Sequence, residues 1–218
     1  MTPVNNFNRI RNHLKFDDPD KFYFIEVLKR KKDFGYNING TNNNNRLISY
    51  YCVDSLDKYE HIQEEVVQIC DATGARCMIH LNRRSFRKVY RELQDILKDY
   101  NYEQRYNLMY RTYSSACGQE DVRAEKSGEI NCLWDYDSDD SDDLGVPTVE
   151  EIVSILKEID SREIFTVPSK SGYHIITKRI NMKKVWEHPN FENFLKPLLN
   201  EKNQPHKNSP TNLYIPIT

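Results

Sequence analysis

Between residues 57 and 100 the apolar side chains change period twice, and that alternation limits the folds open to this chain. Ile62, Val66, Val67, Ile69 and Cys70 recur at helical spacing over residues 57–73. Gly74 then supplies a stop, because a residue without a Cβ readily takes the left-handed conformation that closes a helix. Residues 76–81 read as a strand. Phe86, Val89, Leu93, Ile96 and Leu97 restore a helical stripe over residues 85–100. Upstream, residues 21–28 and 46–53 are aromatic and β-branched runs flanking an Asn- and Gly-rich polar loop at 35–45, which predicts two strands joined as a long hairpin. The first half is expected to be β-β-α-β-α, an α/β unit.

The second half begins after a tyrosine-rich connector at 101–127, where a short helix is expected near 105–112. Residues 129–135 are an apolar strand that runs into Asp135 and Asp137, and 138–145 form an acidic turn. Pro147 and Thr148 stand where a helix reaching residue 159 needs its cap. Strand-like runs at 164–167 and 173–177 flank a small-residue turn, 186–199 has a helical pattern interrupted by Pro189 and Pro197, and 212–215 is a last strand. This β-α-β-β-α-β order predicts a ferredoxin-like antiparallel sheet with helices on one side. No linker separates the halves. The expectation is α+β: one domain, 1–218, whose lobes (about 1–110 and about 128–218) share a core.

A net charge of −2 and a pI near 6.3 exclude a generally basic nucleic-acid coat, so any nucleic-acid contact must be a local patch. With a mean hydropathy of −0.79 and no apolar run of membrane-spanning length, a soluble protein without a membrane partner is expected. The N-terminus lacks the pattern of a secretory signal, and the five cysteines are scattered without a C-x-x-C pair. Both point to a cytoplasmic chain with reduced, mostly buried thiols.

Asp135 and Asp137 are two residues apart on a strand, so their carboxylates share a face. Two such groups repel unless a cation lies between them, and Mg²⁺ or Mn²⁺ is the natural occupant. An acidic turn without a ligand explains the same residues, since Asp139, Asp140, Asp142 and Asp143 follow. The turn of Ser169, Lys170, Ser171 and Gly172, closed by His174, offers hydroxyls, a compact positive charge and an imidazole suited to phosphate, although an ordinary hairpin has the same composition. Arg83, Arg84, Arg87 and Lys88 surround Phe86 at a strand-to-helix junction. Cations oppose the helix dipole there, which favours a nucleic-acid contact over a solvated helix start. Arg105, Arg111 and Arg123 extend that basic face; Tyr102, Tyr106, Tyr110 and Tyr113 offer stacking surfaces or core packing.

The apolar strand ending in Asp135-Tyr136-Asp137 and the turn Ser169-Lys170-Ser171-Gly172-Tyr173-His174, in that order, resemble two motifs of the archaeo-eukaryotic primase superfamily, in particular phage and plasmid primase–polymerases. The resemblance spans most of the chain. It implies an N-terminal α/β unit fused to an RNA-recognition-motif-like sheet. It further implies nucleotidyl transfer on a single-stranded DNA template, with metal on Asp135 and Asp137 and triphosphate on His174 and the turn. A helicase or another replication protein is the implied partner. One departure stands out: the family's third motif adds an acid on a later strand, whereas no aspartate follows His174. Asn208 or Asn212 occupies that region, and Glu187, Glu192 and Glu201 are the remaining acidic candidates. A non-catalytic nucleotide- or nucleic-acid-binding relative is therefore the alternative expectation, and a metal-dependent nuclease a further one.

Overall fold

Two short elements lead the chain, β1 (Val4–Asn5) and α1 (Phe7–Arg11). There follow β2 (Lys21–Arg30), β3 (Asn45–Val53), α2 (Leu56–Thr73), β4 (Arg76–Ser85), α3 (Phe86–Tyr102) and α4 (Thr112–Gly118). The remainder holds β5 (Asn131–Asp137), α5 (Val149–Ile159), β6 (Phe165–Pro168), β7 (Gly172–Lys178), α6 (Met182–Trp186) and β8 (Thr211–Ile215). This computed structural model describes residues 2–30, 45–102, 111–137, 147–200, 202 and 204–217. The expected polar loop up to residue 44, the helix near 105–110, with Arg105, Tyr106 and Tyr110, and the acidic turn lie outside the described residues, as does Glu201.

The local signals act as their chemistry dictates. Ser55 caps α2 by accepting from the Lys58 amide, and Gly74 ends it at φ 67° in the left-handed region. Thr148 and Glu151 form a reciprocal capping box at the start of α5. The helix expected over 186–199 is corrected: α6 is a single short segment, followed by a π turn, Phe191–Leu195, and a 3₁₀ turn, Lys196–Leu198. The missing amide hydrogens of Pro189 and Pro197 account for the break.

The architecture is mixed α+β. A five-stranded antiparallel sheet has the order β1-β8-β4-β2-β3, and a three-stranded antiparallel sheet has the order β5-β7-β6. The last strand therefore does not join the sheet of its own half, as its place in the sequence suggests. Beside β5, where a fourth strand would lie, the chain makes one bridge, with Leu133 and His206 exchanging two backbone hydrogen bonds of 2.8 Å. It then crosses to the large sheet. All five residues of β8 are buried between β1 and β4, and the Tyr214 hydroxyl donates to Asp71 of α2 at 2.8 Å.

Side chains of both sheets meet in one core. Ile25, Val27, Cys77 and Ile79 of the large sheet pack with Tyr59, Ile62, Val66 and Cys70 of α2, and with Leu133, Val167 and Ile176 of the small sheet. The opposite face of the small sheet sets Trp134, Tyr136 and Ile175 against Ile152, Ile155 and Leu156 of α5, each such side chain contributing about 1.5–3 kcal/mol on burial. Under α3 and α4 lies a third cluster around Phe22, Phe24 and Val89.

Candidate functional site

The register of β5 against β7 sets Asp135 opposite His174 and Asp137 opposite Gly172. Directly opposed residues of an antiparallel pair project to the same face. Asp135, Asp137 and His174 thus share a face with Leu133 and Ile176, while Trp134, Tyr136 and Ile175 fill the other. The burial pattern of β5 follows: its apolar residues are enclosed and its two aspartates exposed.

His174 Nε2 lies 3.5 Å from Asp135 Oδ1, and Nδ1 lies 2.7 Å from the Thr211 hydroxyl of β8. A carboxylate only accepts, so Nε2 carries the proton and Nδ1 accepts from Thr211. The imidazole is 8 % exposed, and burial holds its pKa below the ordinary 6.5, although Asp135 and Asp137 pull the other way. The ring is neither on the far side of the sheet nor cut off, because its Nε2 faces a half-exposed carboxylate.

Asp137 accepts from the Ser171 hydroxyl at 2.7 Å, which ties the acidic strand end to the turn between β6 and β7. The turn is tight, with the Ser169 amide donating to the Gly172 carbonyl at 2.8 Å. Lys170 is exposed at its tip, and Ser169 is half-buried. Gly172 keeps space free opposite Asp137, where a side chain would sit about 5 Å from the Asp137 Cβ.

Among the described residues, none of those proposed for a third ligand reaches this group. The Asn208 oxygen accepts from Arg84 at 2.9 Å and its amide donates to the Gly118 carbonyl. Asn212 pairs with Met78, and as the neighbour of Thr211 on a strand it points to the other face of the large sheet. Its Oδ1 is buried without a hydrogen-bond partner. Glu187 and Glu192 pair with Lys183 and Lys196 one helical turn away on the surface. Among the described residues, no group of three or more His, Cys, Asp or Glu side chains gathers to hold a metal ion.

The basic run requires a correction. β4 continues through Ser85 with all ten residues buried, so Arg83 and Arg84 belong to the sheet rather than to an exposed helix start. Arg83 pairs with Asp17 and Glu125. Arg84, 0 % exposed, donates to the carbonyls of Cys117 and Asn82, to His80 Nδ1 and to Asn208. Lys88 donates to the Arg123 carbonyl, and Arg87, its side chain 84 % exposed, makes a long ion pair of 3.8 Å with Asp20. Arg123 itself is engaged with the Lys207 carbonyl and Glu120, and Tyr113 stacks on Tyr50 at 5.5 Å. Tyr102 remains 90 % exposed.

Two features escaped the sequence reading. Thr211 orients the imidazole across 37 positions of sequence, and no local pattern marks it. Glu26, which accepts from His80 Nε2 at 3.2 Å, did carry a signal: an acid within an aromatic strand must find a partner when buried. No family model matches the chain, and neither the curated proteins nor the solved structures contain a significant match. Among the described residues no helix is long and apolar enough to cross a membrane.

Proposed function

We propose that this protein is a metal-dependent nucleotidyltransferase of the primase–polymerase kind, adding nucleotides from nucleoside triphosphates on a single-stranded DNA template. The observation that carries the reading is the facing of Asp135 and His174 in register, with Asp137 beside the Ser171 turn. The order β5-β7-β6, with α5 crossing between β5 and β6, supports an RNA-recognition-motif-like sheet whose fourth strand is reduced to the His206 bridge. The donor set suits Mg²⁺ or Mn²⁺: such an ion takes one or two carboxylates and fills its shell with water and substrate phosphate, so Asp135 and Asp137 suffice for one. When bound, the ion stabilises charge on the transferring phosphoryl group.

The chain's own residues do the rest. Ser171 fixes the Asp137 carboxylate, and Thr211 keeps the His174 proton on Nε2, beside Asp135, from where it would donate to a phosphate oxygen in the site. Lys170 adds positive charge from the turn, and Arg87, 84 % exposed and only loosely paired with Asp20 at 3.8 Å, would guide a template. A helicase or other replication protein would supply the strand. Primer extension on single-stranded DNA with Mn²⁺ tests this, comparing wild type with Asp135→Asn. The expected result is a metal-dependent product lost in the variant, and absence of any such product from the wild type overturns the reading. The lack of a third clustered acid among the described residues favours a second reading, a non-catalytic binding module. Single-strand binding that survives Asp137→Ala without any synthesis would decide for it.

A further inference from the structure

The face that carries Asp135 and His174 continues past the buried pair Leu133 and Ile176 to Asn131 and Lys178, at the other end of the same two strands. There it opens on a cleft of about 340 Å³ between the sheets, with Tyr23, Leu81, Phe165 and Ile176 as apolar lining. One wall is flat, because the His13 ring stacks on Phe165 with centroids 3.7 Å apart and planes within 7°.

Five Lys or Arg and four Asp or Glu side chains line the cleft, a nearly even count that is unevenly placed. Arg83 takes up Asp17 and Glu125, and Glu163 is held by His13 at 3.0 Å. Lys178 Nζ donates to neutral partners, the Asn131 side-chain oxygen at 2.9 Å and the Glu129 carbonyl at 3.2 Å. Among the described residues neither Lys178 nor Lys15 has a carboxylate within ion-pair distance, and the same is true of Lys126 at the rim. Burial, and to a lesser degree the charge of Lys15, lower the Lys178 pKa, which marks a half-buried ammonium short of negative charge despite nearby Glu129.

We propose that this cleft binds a small organic phosphate monoester, with its dianionic head between Lys15 and Lys178 and its body against Phe165 and Ile176. A phosphate monoester carries nearly two charges near neutral pH and several acceptor oxygens, matching ammonium groups that lack acidic partners. The volume falls in the range of small-molecule sites. The inference stands apart from the proposed metal chemistry, since the apolar belt of Leu133 and Ile176 separates the two ends of the face.

The test is calorimetric titration of the whole chain, in chelator so that metal-linked binding does not contribute. The probes are adenosine 5′-monophosphate, ribose 5-phosphate, inorganic phosphate and adenosine. Both esters should bind saturably and more tightly than inorganic phosphate, while adenosine should not bind. Lys178→Gln and the exposed Lys15→Gln should each weaken the esters about tenfold or more, and Lys183→Gln, on a distant helix, should leave them unchanged. Adenosine binding as well as its monophosphate would overturn the proposal. So would inorganic phosphate binding as tightly as the esters, no saturation by any phosphate, or ester affinity unaffected by Lys15→Gln.

Discussion

Replacing Arg84 with methionine separates a structural from a nucleic-acid-binding role for the basic run. Methionine preserves most of the apolar stem but deletes four donated hydrogen bonds, of 2.7 to 2.9 Å, to Cys117, Asn82, His80 and Asn208. Cys117, Asn82 and His80 are buried, and His80 Nδ1 would be left as an unpaired acceptor while Nε2 still binds Glu26. Removing one member of such a network costs about 3–5 kcal/mol. For a chain of 218 residues, at about 2–4 °C per kcal/mol, this lowers the melting temperature by roughly 10 °C. Arg87→Ala, at an 84 % exposed side chain, should change stability by less than about 0.5 kcal/mol. Urea unfolding followed by circular dichroism measures both, and fluorescence anisotropy with a single-stranded oligonucleotide measures binding. An Arg84→Met protein within about 1 kcal/mol of wild type that has lost oligonucleotide binding would refute the assignment of this guanidinium to the interior.

His174 and His80 both have pKa values lowered chiefly by burial from the ordinary 6.5, so the unfolded chain takes up their protons first as pH falls. Stability should be flat in these groups above pH 6.5 and fall below it, by up to about 1.4 kcal/mol per pH unit per histidine. Asp17 and Asp160, lowered from 3.8 mainly by Arg83 and Arg162, add their losses only at more acid pH. Urea midpoints between pH 4.5 and 7.5 check this; a rise in stability on acidification would contradict it. Thr148→Ala removes the capping box of α5 and should cost about 1 kcal/mol in the same unfolding assay. Gly74→Ala should cost a similar amount, about 1 kcal/mol, because only glycine holds φ 67° without strain.

Element type along this chain is a local property and can be read directly. The stripe of Ile62, Val66 and Cys70, the Ser55 and Gly74 ends of α2, and the Thr148 cap of α5 all act within a few residues of one another. The shared face of Asp135 and Asp137 is equally local, since alternation along a strand dictates it. Partnership is different. Whether Thr211–Ile215 joins β5 or β4 depends on which exposed edge and apolar surface the chain meets last, and no residue of that strand encodes the choice. The same holds for Arg84: a run in which five of the six residues 83–88 are cationic or aromatic looks solvent-facing until Cys117, Asn82, His80 and Asn208 converge on the guanidinium and make its burial tolerable. Periodicity therefore specified α2, α3, α5, most strands and the shared face of the acidic pair, but not the broken segment at 186–199 or the reach of β4 to Ser85. Long-range packing decided the strand order, the hydroxyl that orients His174, and which arginines face water, because those outcomes depend on surfaces that exist only once distant segments have come together.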